Sequence, residues 1–203
     1  MVLLQAQSLL VEKKGMVIEL DADRILYDKF LTGDHQALEE LIGIHKESLT
    51  LFLYGYLKDM SEAENMMIDV FAQLVVSAGK FKGNSTLKTY LFAIARHEAL
   101  RYLKKHKTHL NLDDVQEDLL PTNHCAEIDL LKKEQNRELY YAIGNLTTDY
   151  REILFLLYFE NMSYKEASKI MKKSEKQITN LAYRAKKSLK QILEERGFVY
   201  DGE

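Results

Sequence analysis

The chain has 203 residues, 46% hydrophobic and 29% charged, with one proline, one cysteine and no tryptophan. That apolar fraction builds a core and excludes a wholly disordered chain, and a single cysteine excludes a disulfide framework and an all-cysteine zinc site. The formal net charge of −3 argues against a nucleic-acid partner only if the charge is spread evenly, and it is not.

Residues 80–109 hold 8 Lys+Arg against 1 Asp+Glu, a balance of +7, and residues 163–196 hold 10 against 4, a balance of +6. Acidic stretches surround both. Residues 1–79 carry −7 and residues 110–138 carry −5. A single charge run is usually a solvated helix face. Two basic segments, each with a helical pattern, point to a nucleic-acid footprint. The apolar runs fall short of the ~20 residues a membrane helix needs.

In chain order, residues 1–20 read as a loosely attached extension, with Met16 as an alternative start. Between 34 and 57, Leu38, Leu41, Ile42, His45, Leu49, Phe52, Leu53 and Tyr56 recur at three- and four-residue steps. That spacing predicts a helix with Asp34 as N-cap. A second helix follows, with Ser61 as its expected cap and Glu64 completing a capping box. Its stripe is Ala63, Met66, Met67, Val70, Phe71, Leu74, Val75 and Ala78; Gly79 and Gly83 bracket its end. A third helix follows Asn84 and Ser85. It buries Leu87, Tyr90, Leu91, Ile94, Ala95 and Leu103, and sets Phe81, Tyr90, Phe92 and Tyr102 among its cations.

The pattern then fails. Residues 107–126 hold the only proline, Pro121, and an acidic run from Asp113 to Asp118. This reads as a linker, because a long structureless stretch is improbable inside one domain. Helical periodicity resumes and ends in a helix–turn–helix pattern. Ser163 and Glu166 form a capping box, Lys172 and Lys173 make the turn, and Ser174 caps the last helix. That helix buries Ile178, Leu181 or Ala182, Ala185, Leu189 and Ile192, and turns Gln, Asn, Arg and Lys outward. Such a face suits base edges and phosphates in a major groove. A plain helical hairpin with a wet lysine face would show the same pattern. The expected fold is therefore all-α: two small helical domains, 21–106 and 127–196, joined by an acidic linker and followed by a tail at 197–203.

Three stretches resemble one known family. FKGNSTLKTYLFAIARHEALRYLKKHK looks like the promoter-melting, −10-reading part of a sigma factor. AENMMIDVF looks like the helix before it, and LTTDYREILFLLYFENMSYKEASKIMKKSEKQITNLAYRAKKSLKQIL looks like the −35-binding domain. Two domains in this order, with no third between them, resemble the extracytoplasmic-function (group IV) sigma factors of the sigma-70 family. The resemblance covers residues 24–195.

The resemblance implies a cytoplasmic, non-enzymatic initiation factor without cofactor or metal. It would dock on the clamp helices of the large subunit of core RNA polymerase through Glu64, Asp69 and Gln73. It would hold the −10 element in a pocket of Lys82, Asn84, Ser85, Tyr90 and His97, with Arg96, Arg101, Lys104 and Lys105 on phosphates. It would read the −35 element of promoter DNA through Thr179, Asn180, Tyr183 and Arg184, with Lys176 and Lys186 on the backbone. An anti-sigma factor is a further candidate partner. The alternatives are a standalone helix-turn-helix regulator and a polymerase-docking protein that does not read promoters.

Several family positions differ here. Tyr90 stands for the usual tryptophan, His97 for an asparagine, Ile68 for a glutamine, Asn65 for an aspartate, and Lys172 for a turn glycine. His106, His109, His124 and Cys125 lack paired metal-ligand spacing and read as solvated linker residues.

Overall fold

The computed structural model describes residues 22–107, 139 and 141–197. The extension, the proposed linker beyond Lys107 and the tail beyond Gly197 lie outside the described residues, as do His109, His124 and Cys125. Among the described residues there is no strand.

The first helical unit has four helices: α1 (Ala22–Leu31), α2 (His35–Leu57), α3 (Met60–Val76) and α4 (Leu87–Lys107). Asp34 caps α2, accepting from the backbone N–H of Gln36 and Ala37. The expected capping box at the start of α3 does not form. Asp59, two residues earlier, accepts from Glu62 N–H instead, so α3 begins at Met60. Lys58 adopts a left-handed φ of 60° to end α2, which leaves a two-residue turn with Asp59 already in capping position.

Sequence periodicity had not singled out α1. It is pinned to α2 by the buried His45 ring, whose Nε2 lies 2.7 Å from Asp23 Oδ2. His45 therefore sits in the apolar stripe as a partnered polar group. Leu41, Leu49, Leu53, Leu74, Leu87 and Leu91 are fully buried between α2, α3 and α4.

The second unit begins with a helical turn at residues 141–144 and continues as α5 (Thr148–Leu154). A π-helical turn, Phe155–Phe159, follows directly, with Glu160 N–H donating to Phe155 O at 3.1 Å. A single π turn of this kind inserts one residue and shifts which side chains face a neighbour. Here Phe155 meets Phe52 of the first unit at 5.8 Å between ring centroids, and Leu156 beside it is fully buried.

Two further helices, α6 (Tyr164–Met171) and α7 (Glu175–Glu195), complete the helix–turn–helix. Both expected caps form as capping boxes, Ser163 with Glu166 and Ser174 with Gln177. Ala167 is fully buried, so α6 can approach its neighbours closely. The turn between them rests on Lys172 at φ 52°, ψ 43°, a left-handed conformation that favours glycine. A side chain in that region costs roughly 1–2 kcal/mol, and glycine's greater unfolded-state entropy offsets roughly 0.5–1 of that. Lys172→Gly is therefore expected to stabilise the chain by about 0.5–1 kcal/mol, read as a higher urea midpoint at unchanged slope.

Candidate nucleic-acid interface

The loop before α4 is built by α1. Gly79 and Gly83 take φ values of 79° and 72°. Gly79 N–H donates to the Tyr27 hydroxyl at 3.1 Å. Gly83 takes a left-handed conformation that favours glycine, and an added Cβ there would come within 2.8 Å of an Arg24 guanidinium nitrogen and push that side chain aside. Arg24 in turn lies over the Phe81 ring at 5.2 Å. Phe81 is buried edge-on against Tyr27 at 5.8 Å and tilted against Tyr90 at 5.1 Å. Thr86 Oγ1 accepts from Thr89 N–H at 3.2 Å and closes the first turn of α4.

This scaffold opens a shallow cavity of about 200 Å³ lined by Lys80, Phe81, Lys82, Asn84, Ser85 and Tyr90. Four residues expected to hold −10 bases (Lys82, Asn84, Ser85 and Tyr90) thus come together around one aromatic wall. By the 3.6-residue repeat, His97, Arg101 and Lys104 continue along the Tyr90 side of α4, and all three are exposed. Lys105 is exposed one position further round. Glu98 accepts from Arg101, and lies 3.3 Å from His97 Nδ1. His106 belongs to the last turns of α4 and not to a linker, with its ring stacked on Tyr102 at 3.9 Å.

Arg96 lies elsewhere. It faces the second unit, where its Nε donates to Glu152 Oε1 at 2.7 Å, with side-chain exposures of 13% and 1%. Burial pushes the Glu152 carboxyl up, against the pull of Arg96. Burial, reinforced by the nearby Glu152, raises the Tyr56 phenol as well.

On α7 the buried stripe is Ile178, Leu181, Ala182, Ala185 and Leu189. The opposite side carries Lys176, Asn180, Tyr183 and Lys187 in one line, flanked by Thr179 and Arg184, all exposed. Tyr183 is 70% exposed, unusual for so large a ring. The Thr179 hydroxyl donates back to Glu175 O at 2.9 Å, so its methyl is the part free to meet a partner. Lys186 Nζ lies 5.2 Å over the Tyr158 ring. A hydrogen bond with Tyr158 outweighs partial burial and holds the Lys186 ammonium above the ordinary lysine value.

On α3, Glu64, Asp69 and Gln73 are exposed but do not form one cluster. Glu64 edges one side of the exposed arc, and Asp69 and Gln73 edge the other. Between them runs a ridge of Ile68, Val75 and Val76, exposed by 59%, 39% and 83%. Sequence reasoning placed Val75 in the core stripe and left Ile68 and Val76 outside the site. The signal available was apolar residues at positions off the buried repeat. The supports Arg24 and Tyr27 were equally missed, because their role depends on α1 reaching the loop.

Among the described residues, no group of His, Cys, Asp and Glu is placed to hold a metal ion, and no helix is long and apolar enough to cross a membrane.

A loop-and-helix pocket beside one helix and an exposed polar helix in a helix–turn–helix define a helical DNA-reading protein in two units. Residues 41–109 match Sigma-70 region 2 and residues 136–189 match Sigma-70, region 4. The chain belongs to the sigma-70 family of transcription initiation factors, in its extracytoplasmic-function group. It is 26% identical over 168 residues to the ECF RNA polymerase sigma factor SigX of Bacillus subtilis, covering 78% of this chain and 84% of that one. It is 27% identical over 157 residues to SigM of the same organism, covering 76% and 94%. The fold is shared with CnrH, solved in complex with the cytosolic domain of CnrY, at a TM-score of 0.62 and 21% identity over 86% of this chain and 98% of that one. It is also shared with the sigma factor RpoE of Bartonella quintana, solved with the anti-sigma factor NepR, at 0.59 and 19% over 77% and 96%.

Proposed function

We propose that this chain docks on core RNA polymerase and directs it to promoters with defined −35 and −10 elements, acting by binding and not by catalysis. The observation that carries this reading is the cavity at the head of α4. Unpairing a duplex requires a place for unstacked bases, and a base stacked on an aromatic ring gains about 1–3 kcal/mol. Tyr90 offers the ring, Lys82, Asn84 and Ser85 offer polar edges, and Arg101, Lys104 and Lys105 lie downstream along the helix for phosphates. The exposed face of α7 supplies the −35 reader, with Asn180 and Arg184 for base edges and Lys176 for phosphate.

The α3 ridge of Ile68, Val75 and Val76, rimmed by Glu64, Asp69 and Gln73, suits docking on the clamp helices of the large subunit. Exposed apolar residues at helical spacing with a charged rim mark protein interfaces. Residues 21–106 and 127–196 are the two functional domains in this reading, and the acidic segment between them is their linker. The setting is the cytoplasm. An anti-sigma factor is a fitting regulator, since RpoE of Bartonella quintana, which shares the fold, was captured with one.

The test is run-off transcription with core polymerase on a promoter library. Specific starts that depend on this chain are expected. No specific start at any promoter overturns the reading. Tight, sequence-specific duplex binding without polymerase would favour a standalone regulator, and polymerase binding without promoter choice would favour a docking protein.

A further inference from the structure

The loop before α4 has little backbone bonding of its own. Lys80 N–H donates to Ser77 O at 2.9 Å, and the next such bond is Tyr90 N–H to Thr86 O at 3.2 Å. Among the described residues, Phe81 to Ser85 make no backbone–backbone hydrogen bond. A segment this sparsely bonded opens readily unless side chains tether it. Two tethers come from α1. The Tyr27 hydroxyl accepts from Gly79 N–H at 3.1 Å, and the Arg24 guanidinium lies 5.2 Å over the Phe81 ring and fills the space beside Gly83.

Both tethers are themselves fixed. Arg24 Nε donates to the two Asp28 carboxylate oxygens, each at 3.0 Å, which leaves Nη1 beside Gly83. Tyr27 is fully buried and meets Phe81 edge-on. Phe81 in turn packs against Tyr90, the ring offered to bases. Asp23, one residue before Arg24, holds α1 to the buried His45 of α2. A continuous line of contacts therefore runs from α2 through α1 to the aromatic wall of the pocket.

A helix that only filled the core would need Leu26 and the Tyr27 ring and nothing more. The hydroxyl of Tyr27 and the guanidinium of Arg24 add no apolar burial, and both are spent on the loop. Holding a binding loop in its bound shape raises affinity by cutting the cost of ordering it.

We propose that Arg24 and Tyr27 are positioning residues for the −10 element: from α1 they hold residues 79–86 in the shape that receives unpaired bases, and so set how strongly −10 bases are discriminated without touching DNA. The inference rests on the promoter-reading function above. Loosening the loop leaves Lys82, Asn84, Ser85 and Tyr90 chemically intact but assembles them for a smaller fraction of the time. Apparent affinity for the correct −10 element falls with that fraction. Affinity for a wrong element, which does not use the pocket, does not fall, so the ratio between them shrinks. The reader on α7 is untouched.

The test has two readouts. The first is backbone amide hydrogen exchange in the free full-length chain. Tyr27→Phe keeps the buried ring and removes only the hydroxyl, so the variant should fold. Its Gly79 N–H should exchange roughly two- to twelvefold faster, the equivalent of one neutral hydrogen bond, while the amides of Leu49 and Leu53 in α2 keep their rates. The second is promoter binding with core polymerase across single-base −10 and −35 variants. Tyr27→Phe and Arg24→Ala, the latter at a half-buried position, should each cut −10 discrimination by about threefold or more and leave −35 discrimination unchanged. Asp59→Ala, which uncaps α3 at the end remote from the loop, should lower stability and move neither ratio. Arg24→Ala should also keep the salt slope of the parent. Unchanged Gly79 exchange, unchanged −10 discrimination, equal losses at both elements, or a −10 loss shared by Asp59→Ala each overturns the positioning role. So does a salt slope reduced by about 1, which would make Arg24 a phosphate contact. If Gly79 exchange quickens as expected but the parent itself never discriminates −10 bases, the promoter reading falls and takes the −10 role with it, while the tether stands, so the two failures are separable.

Discussion

Phe92→Ala is expected to cost about 3–5 kcal/mol of unfolding free energy, the range for removing a fully buried phenyl ring. Phe92 has no exposed surface and meets Phe52 edge-on at 5.1 Å, 67° between planes. Phe52 also touches Tyr56 at 5.5 Å and Phe155 at 5.8 Å. Phe52 is therefore the hub of an aromatic group joining α2, α4 and the start of the second unit, and Phe92 is the ring that α4 contributes to it. Aromatic pairs add about 0.5–1.5 kcal/mol beyond area alone. Small domains hold only about 5–15 kcal/mol in total, so this one change removes a large share. Urea unfolding should show a much lower midpoint. Phe92→Leu, which keeps most of the volume, should cost under half as much. A loss below about 1 kcal/mol for the alanine variant would show that the ring does not pack as described.

That ring also marks where sequence reasoning stopped. The spacing of apolar residues gave α2, α3, α4 and the helix–turn–helix with nearly their observed bounds, because each of these helices buries a face at regular three- and four-residue steps. Phe92 falls off the expected stripe of α4, among the cations, and reads there as a ring for bases. It is buried against Phe52 of α2, and no periodicity within one helix reports a partner so far off in the chain. The ion pair of Arg96 is hidden from the sequence for the same reason: its charge suits phosphate, and its partner Glu152 is distant in the chain. His97, expected in the pocket, does not line the cavity. Lys82, Asn84, Ser85 and Tyr90 are close along the chain, so loop and first helical turn bring them together locally. The supports Arg24 and Tyr27 come from a helix whose face is too short to stand out. The cap of α3 moved from Ser61 to Asp59 because both residues are good caps, and the tight turn at Lys58 decides between them.

The recognition helix gives the sharpest functional expectation. Arg184→Ala and Asn180→Ala should each reduce discrimination between a correct and a single-substituted −35 element by about 1–3 kcal/mol, or roughly 5- to 150-fold. Each side chain projects from the exposed side of α7, and neither belongs to the buried stripe. Their removal should change stability by no more than about 0.5 kcal/mol. Loss of discrimination would then report lost contacts and not lost fold. Lys176→Ala provides the contrast. A cation on a phosphate lowers affinity for every sequence alike and reduces the salt slope by about 1, without altering which base is preferred. The measurement is promoter binding by the complex with core polymerase, across −35 variants and across salt. Residues four apart on one helix share a groove, so the double variant need not equal the sum of the singles. If Arg184→Ala keeps full discrimination while lowering only the salt slope, the arginine is a phosphate contact and base reading falls to Asn180 and Tyr183. If none of these variants alters discrimination, α7 does not read the −35 element, and its exposed face serves another partner.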